Sequence, residues 1–201
     1  MIKRHLALIP FTAALLAGCA ATGSSNGPVS TAPVAAYSEA LSLSGKMSAT
    51  YTRDGTPGSV TVNFEWRQTA SRTDIELSTP LGSTVAKIAV TPEEAVLSEG
   101  DNKPPRRAAS IDELSAQALG WPLPVSGLRE WLQGHAIDAK GQRFTASAAH
   151  STVTTQDGWQ LSFVSWQPDS NPPRPRRIDA ERAASGPVSD ITIRVVIDAA
   201  K

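Results

Sequence analysis

Residues 43–66, LSGKMSATYTRDGTPGSVTVNFEW, decide the fold. Leu43, Gly45, Met47, Ala49 and Tyr51 alternate with Ser44, Lys46, Ser48 and Thr50. Val60, Val62, Phe64 and Trp66 alternate with Thr61, Asn63 and Glu65. Successive side chains of a strand point to opposite faces, so a period of two puts the apolar groups of each run on one side. Asp54-Gly55 and Pro57-Gly58 stand between the runs as turn signals, because glycine takes positive φ and proline presets φ. The stretch reads as an antiparallel hairpin with one apolar and one solvated face.

The same signature predicts further strands over 73–77, 84–90, 95–98, 142–147, 152–155, 160–166, 176–179 and 191–198. Before the hairpin, Val34, Tyr37 and Leu41 share one face at helical spacing and predict a short helix. Two helices interrupt the middle. Ser110 with Glu113 three residues on fits a capping box, Ile111, Leu114, Ala118 and Leu119 form the inner face, and Gly120 ends the element. A second helix is predicted over 126–133, with Leu128, Trp131 and Leu132 together and Gly134 as its C-cap. Trp121-Pro122-Leu123-Pro124 joins them as a stiff apolar link. The order is a helix, about six strands, two helices and about five strands. That is a mainly β fold of about eleven strands with a few helices, in which a long antiparallel sheet curls and the helices cover its open face. Such a half-open barrel can enclose an apolar cavity.

The first residues carry an address. Lys3 and Arg4 precede a short apolar run from Leu6 to Leu16 that is too short to span a membrane, and Leu16-Ala17-Gly18-Cys19 matches a bacterial lipobox. Residues 1–18 read as a lipoprotein signal peptide. Residues 19–33 read as a lipidated cysteine followed by a small, polar, Pro/Gly-rich tether, and 34–201 as the folded domain. Cys19 is the chain's single cysteine, so neither an internal disulfide nor a thiolate metal site can form. The only group expected on the chain is covalent lipid, S-diacylglycerol and N-acyl, on Cys19. Several acyl chains on one residue would anchor it almost permanently, since each buried methylene contributes ~0.8 kcal/mol. The full chain balances 19 basic against 19 acidic residues; losing Lys3 and Arg4 with the signal leaves a charge of about −2. Nucleic-acid binding favours a strongly basic face, which this chain lacks.

Motifs for covalent chemistry are missing: there is no G-x-S-x-G, no H-E-x-x-H and no Gly-rich phosphate loop. His135 and His150 have no acidic neighbour in sequence and read as surface or loop residues. Two features stand out instead. Ser78-Thr79-Pro80-Leu81-Gly82-Ser83 is a turn whose tip carries a leucine, which either folds back as a plug or projects as an apolar finger. The tryptophans Trp66, Trp121, Trp131 and Trp159 supply large apolar walls with one polar handle each, Trp121 and Trp131 where a cover would close a curled sheet.

Phe64-x-Trp66, Ser78-Thr79-Pro80-Leu81-Gly82, Leu119-Gly120-Trp121-Pro122-Leu123-Pro124, Leu128-x-x-Trp131-x-x-Gly134 and Asp157-Gly158-Trp159 follow one another behind the lipobox. In that order they resemble the LolB family of lipoprotein receptors, over roughly 37–198. The resemblance implies an incomplete antiparallel β-barrel closed by short helices, and no covalent chemistry. It implies a monomer, lipid-anchored in the outer membrane and facing the periplasm. That monomer would accept lipoproteins from the soluble carrier LolA, hold their acyl chains in an apolar cavity and insert them into the inner leaflet. Ala20 after the cysteine resembles the signal for outer-membrane delivery. Carried over by motif, Leu81 between Pro80 and Gly82 becomes the exposed membrane-insertion loop. Phe64, Trp66, Leu77, Ile88, Leu119, Trp121, Leu123, Trp131 and Trp159 become candidates for the cavity wall. The chain departs from the family pattern in its last strand, which ends without an aromatic, and in the Pro/Arg-rich segment 168–177. Two other classes remain. A structural or assembly lipoprotein binding a protein through a sheet edge would have a filled core. A hydrolase of envelope lipid or glycan would need a converging nucleophile–base pair, which the sequence does not display.

Overall fold

The computed structural model describes residues 31–100, 103–119, 124–168, 170–183 and 188–198. The signal peptide, Cys19, Trp121 and Leu123 lie outside the described residues, and of Leu119 only the backbone is described. Six strands come first: β1 (Leu41–Arg53), β2 (Thr56–Gln68), β3 (Thr73–Ser78), β4 (Thr84–Val90), β5 (Ala95–Ser98) and β6 (Arg106–Ala108). Two helices follow, α1 (Ile111–Leu119) and α2 (Val125–Trp131). The remainder is β7 (His135–Ile137), β8 (Arg143–Thr145), β9 (Thr152–Thr154), β10 (Gln160–Trp166), β11 (Pro175–Arg182) and β12 (Val188–Ile197).

Ten of these strands form one antiparallel sheet in the order β6-β5-β4-β3-β2-β1-β12-β11-β10-β9. The first and last strands pair with each other, so the sheet folds outward from β1 and β12 toward two free edges, β6 and β9. Those edges do not pair, and the barrel stays open. β7 and β8 make a separate two-stranded ribbon.

The hairpin expected from residues 43–66 is β1–β2, in register from Leu41↔Gln68 to Arg53↔Thr56. Its apolar parity continues across neighbouring strands. One row runs Leu97, Ile88, Ile75, Trp66, Leu43, and the next runs Ala86, Leu77, Phe64, Gly45, Ile197. A third runs Val62, Met47, Val195, Ile178, Phe163. Gly45 is glycine for a steric reason. A Cβ there would stand 2.2 Å from the Val196 carbonyl oxygen and 2.9 Å from the Phe64 ring, which lies across β1 at this point. Against the inner face pack α1, α2 and the β7–β8 ribbon, through Leu114, Leu128, Trp131 and Phe144.

The helices are fixed by caps. The Ser110 hydroxyl accepts from Glu113 N–H (3.1 Å), and the Glu113 carboxylate accepts from Ala109 N–H (3.2 Å). Pro124, at the N-cap of α2, offers no side-chain cap; Asp112 of α1 substitutes, its carboxylate accepting from the Ser126 N–H (3.1 Å) and hydroxyl.

The helix predicted around Val34, Tyr37 and Leu41 does not form. Residues 34–40 run as an extended strap and Leu41 opens β1. Long-range partners override the local spacing. Val34 N–H donates to the Ala146 carbonyl (3.0 Å) and Pro33 bridges Ser147. Gln133 exchanges two 2.9 Å hydrogen bonds with the Ser38 backbone. His135, expected at the surface, is 4% exposed and donates from Nε2 to the Ala35 carbonyl (2.8 Å).

Gly45→Ala should lower unfolding stability by about 1–3 kcal/mol, because backbone rather than a flexible side chain opposes the added methyl; a urea titration reads it. A second expectation concerns the outer face. Asp179 is partly buried, which pushes its carboxyl up, but hydrogen bonds and charge from Arg177 and Arg194 outweigh burial and hold it below the ordinary range. Stability from a depressed carboxyl is present above its unfolded value and lost as pH falls through the folded one. Asp179→Asn should therefore flatten the acid limb of a stability–pH profile and leave the slope above neutrality unchanged.

Candidate functional site

Burial along the inner face of β2 and β3 is graded. On β2, Trp66 is 2% and Phe64 3% exposed, Val62 is half-buried, and Val60 is 47% exposed. Met47 and Tyr51 on β1, and Leu77 on β3, are half-buried as well. On β2 and β3 the end beside the β2–β3 turn is thus the covered one and the end toward the β1–β2 turn the less covered, whereas β12 buries Val188 and Ile191 at the β1–β2 turn end. Arg129 of α2 ties down the covered end, donating to the Thr73 hydroxyl (2.8 Å) and the Thr69 carbonyl (2.9 Å).

On the same side as the β1–β2 turn stands the β3–β4 loop. Leu81 is 96% exposed, the most exposed large apolar side chain among the described residues. The loop that carries it is built, not slack. Gly82 N–H donates to the Thr79 carbonyl (2.9 Å), closing a turn with Pro80 and Leu81 at its centre. Gly82 then takes φ +93°, and Thr79 N–H donates to the Ser83 carbonyl (2.8 Å). The Thr79 hydroxyl accepts from Ser83 N–H (3.2 Å), and the Asn63 amide on β2 donates to the Thr79 carbonyl (3.2 Å). Nothing apolar covers the tip, so the plug alternative for Leu81 does not describe this conformation.

The other nominated residues separate into groups. Phe64, Trp66, Leu77 and Ile88 share the inner face on adjacent strands, the first two buried and the last two half-buried. Trp131 and Trp159 are buried with ring centroids 6.2 Å apart, between α2 and the start of β10. Leu119 sits on the last turn of α1.

A hollow of about 740 Å³ opens beside the strap, at the end of β1 away from the β1–β2 turn. Leu41, Leu43, Trp66, Leu132 and Ile197 give it an apolar floor, and Gln133, Gln167, Arg174 and Asp198 a polar rim. Of the nominated wall residues whose side chains are described, only Trp66 reaches it. It is formed by the strap, the start of β1 and the end of β12, which only the β1–β12 pairing brings together, so no local pattern could have located it. Among the described residues no group of three or more His, Cys, Asp or Glu could hold a metal ion, and no helix is long and apolar enough to cross a membrane.

Fold and site together define the class: an open antiparallel half-barrel that presents a concave apolar face under a helical cap, with an exposed leucine at its rim. Within that class the chain belongs to the LolB family, because the family model described as "Outer membrane lipoprotein LolB" matches residues 39–199. The outer-membrane lipoprotein LolB of Cupriavidus pinatubonensis is 37% identical, over 98% of this chain and 95% of its own. That of Cupriavidus necator is 40% identical over 77% of each chain, and that of Chromobacterium violaceum 32% over 98% of each. A solved LolA superfamily protein from Nitrosomonas europaea superimposes with a TM-score of 0.44 at 8% identity, covering 79% of this chain and 84% of its own.

Because the Leu81 side chain touches nothing that holds the fold, Leu81→Ser should change unfolding stability by no more than about 0.5 kcal/mol. Gly82→Ala should cost about 1 kcal/mol, since alanine resists positive φ. Both are read by thermal unfolding, and together they separate the finger from the turn that presents it.

Proposed function

We propose that this protein is a lipid-anchored receptor of the outer membrane, facing the periplasm. It accepts lipoproteins from the soluble carrier LolA, holds their acyl chains against the concave apolar face, and places them in the inner leaflet. Membership of the LolB family supports the role, and relatives named outer-membrane lipoprotein LolB support the location. Cys19, acylated after removal of residues 1–18, is the anchor. The single observation that carries the reading is the set of incompletely covered apolar side chains on β2 and β3, Val60, Val62 and Leu77, on the same side of the sheet as an almost fully exposed leucine.

The physics suits a relay without covalent chemistry. An acyl chain in water costs ~0.8 kcal/mol per methylene, so it crosses the aqueous periplasm only under cover. An apolar face left partly uncovered takes such a chain without breaking any hydrogen-bonded ladder. Transfer then needs no fuel, provided that each acceptor in turn holds the chains more favourably than the donor. A leucine on a short, internally bonded turn can enter the headgroup layer at little entropic cost, since its backbone is already ordered.

The test is Leu81→Glu, supplied from a plasmid while the chromosomal copy is depleted. Newly made lipoproteins should accumulate in the periplasmic carrier fraction, and growth should cease, while the variant itself stays folded and anchored. Normal insertion of cargo by that variant would refute the finger's role.

A further inference from the structure

Trp159 is fully buried, and its indole N–H has no acceptor among the described residues. Most buried donors are paired, because an unmet one costs about 1–3 kcal/mol. The exception is not a loosely held side chain. Thr155 N–H donates to the Trp159 carbonyl (2.8 Å), Trp159 N–H donates to the Thr155 hydroxyl (3.1 Å), and the ring packs against Trp131. A second donor-only group lies beside it: the Arg182 guanidinium stands over the Trp159 ring, 5.7 Å from the centroid. Arg182 has inner-face parity, opposite Ile191 and next after Ile178 and Ala180, and it makes no ion pair among the described residues. A fixed N–H and a cation thus share one place on a mostly apolar face, and among the described residues no acceptor answers the N–H.

We propose that Trp159 and Arg182 form a polar catch for the ester carbonyl oxygens of the bound lipid. The inference rests on the acyl-binding reading above and gives it a chemical specificity. β11 ends at Arg182 on the side of the half-barrel where the β1–β2 turn lies. A lipid lying on the inner face with its tails toward the β2–β3 turn and its headgroup on the side of the β1–β2 turn would bring its glyceryl esters near this pair. The N–H would donate to a carbonyl oxygen and the guanidinium would favour the same electron-rich group, while hydrocarbon alone would satisfy neither. Because Trp159 is covered by Trp131 of α2 in the structure described, the catch engages only when α2 moves away from β10.

The full-length protein in nanodiscs of ether-linked phospholipid, which carries no ester carbonyl, tests this directly. Dipalmitoylglycerol and its diether analogue dihexadecylglycerol are the probes, and the indole ¹⁵N–¹H signals are read, that of Trp159 assigned by its loss in Trp159→Phe. The diester should move the Trp159 signal downfield and the diether should not. Trp159→Phe should weaken diester binding by about 2- to 10-fold, the worth of one neutral hydrogen bond, and leave diether binding unchanged. Arg182→Gln should weaken the diester in the same sense. Diester binding that leaves the wild-type Trp159 signal in place would overturn the catch while keeping the acyl-binding reading, and would assign the N–H to a buried water. Binding of neither probe would overturn both. If Trp159→Phe loses both ligands through misfolding, the wild-type signal and Arg182→Gln still decide.

Discussion

One face of the ten-stranded sheet is mostly apolar, and it must be shielded from water by something other than the sheet itself. A closed barrel would shield it completely. Here β6 and β9 do not meet, so the task falls to α1, α2, the β7–β8 ribbon and the strap 34–40. These covers are enough for Phe64, Trp66 and Ile75 and insufficient for Val60, Val62 and Leu77. Each large side chain fully buried contributes about 1.5–3 kcal/mol, so an incomplete cover is a real thermodynamic concession. It leaves a surface that a hydrocarbon chain can complete.

The covers hold through polar contacts at their ends. Arg129 clamps α2 to the β2–β3 turn, and Asp112 of α1 caps α2 across the helix pair. Gln133 binds the strap as an amide mimic of a neighbouring strand. Gln68 links the inner face to the strap: its Oε1 accepts from Trp66 Nε1 (2.8 Å) and its amide donates to the Ser38 carbonyl (3.3 Å). Few of these bonds belong to a sheet ladder. A cover attached by side chains at its margins can shift as a unit while the sheet beneath it stays paired.

How much of this was legible in the sequence follows the range of the interactions. The β1–β2 hairpin was legible because alternation and turn residues act locally, and the capping box of α1 for the same reason. The helix around Val34 was a false reading: its spacing fitted a helix, but Pro33, Val34 and Ser38 find partners at Ser147, Ala146 and Gln133, more than ninety positions away. β7 was hidden because His135-Ala136-Ile137 is too short to show a period and follows directly on α2. The tip of the β3–β4 turn was legible as an anomaly, and family resemblance was needed to choose between plug and finger. Alternation put Phe64 and Trp66 on the inner face but could not say how deeply each is covered, since depth depends on what lies opposite. The unmet donor on Trp159 could not be foreseen, because no sequence pattern marks a missing acceptor.

The account turns on a concave hydrocarbon-compatible face that takes in the fatty chains of a cargo. Its most direct measurement is a photo-crosslinking map: a triacylated lipopeptide bearing diazirines within its acyl chains, irradiated on the full-length protein and read by mass spectrometry. Adducts on Met47, Val62, Leu77 and Ile88, side chains of one sheet face, are the predicted result. Adducts confined to the solvated face of the sheet, or none on the folded domain, would contradict it.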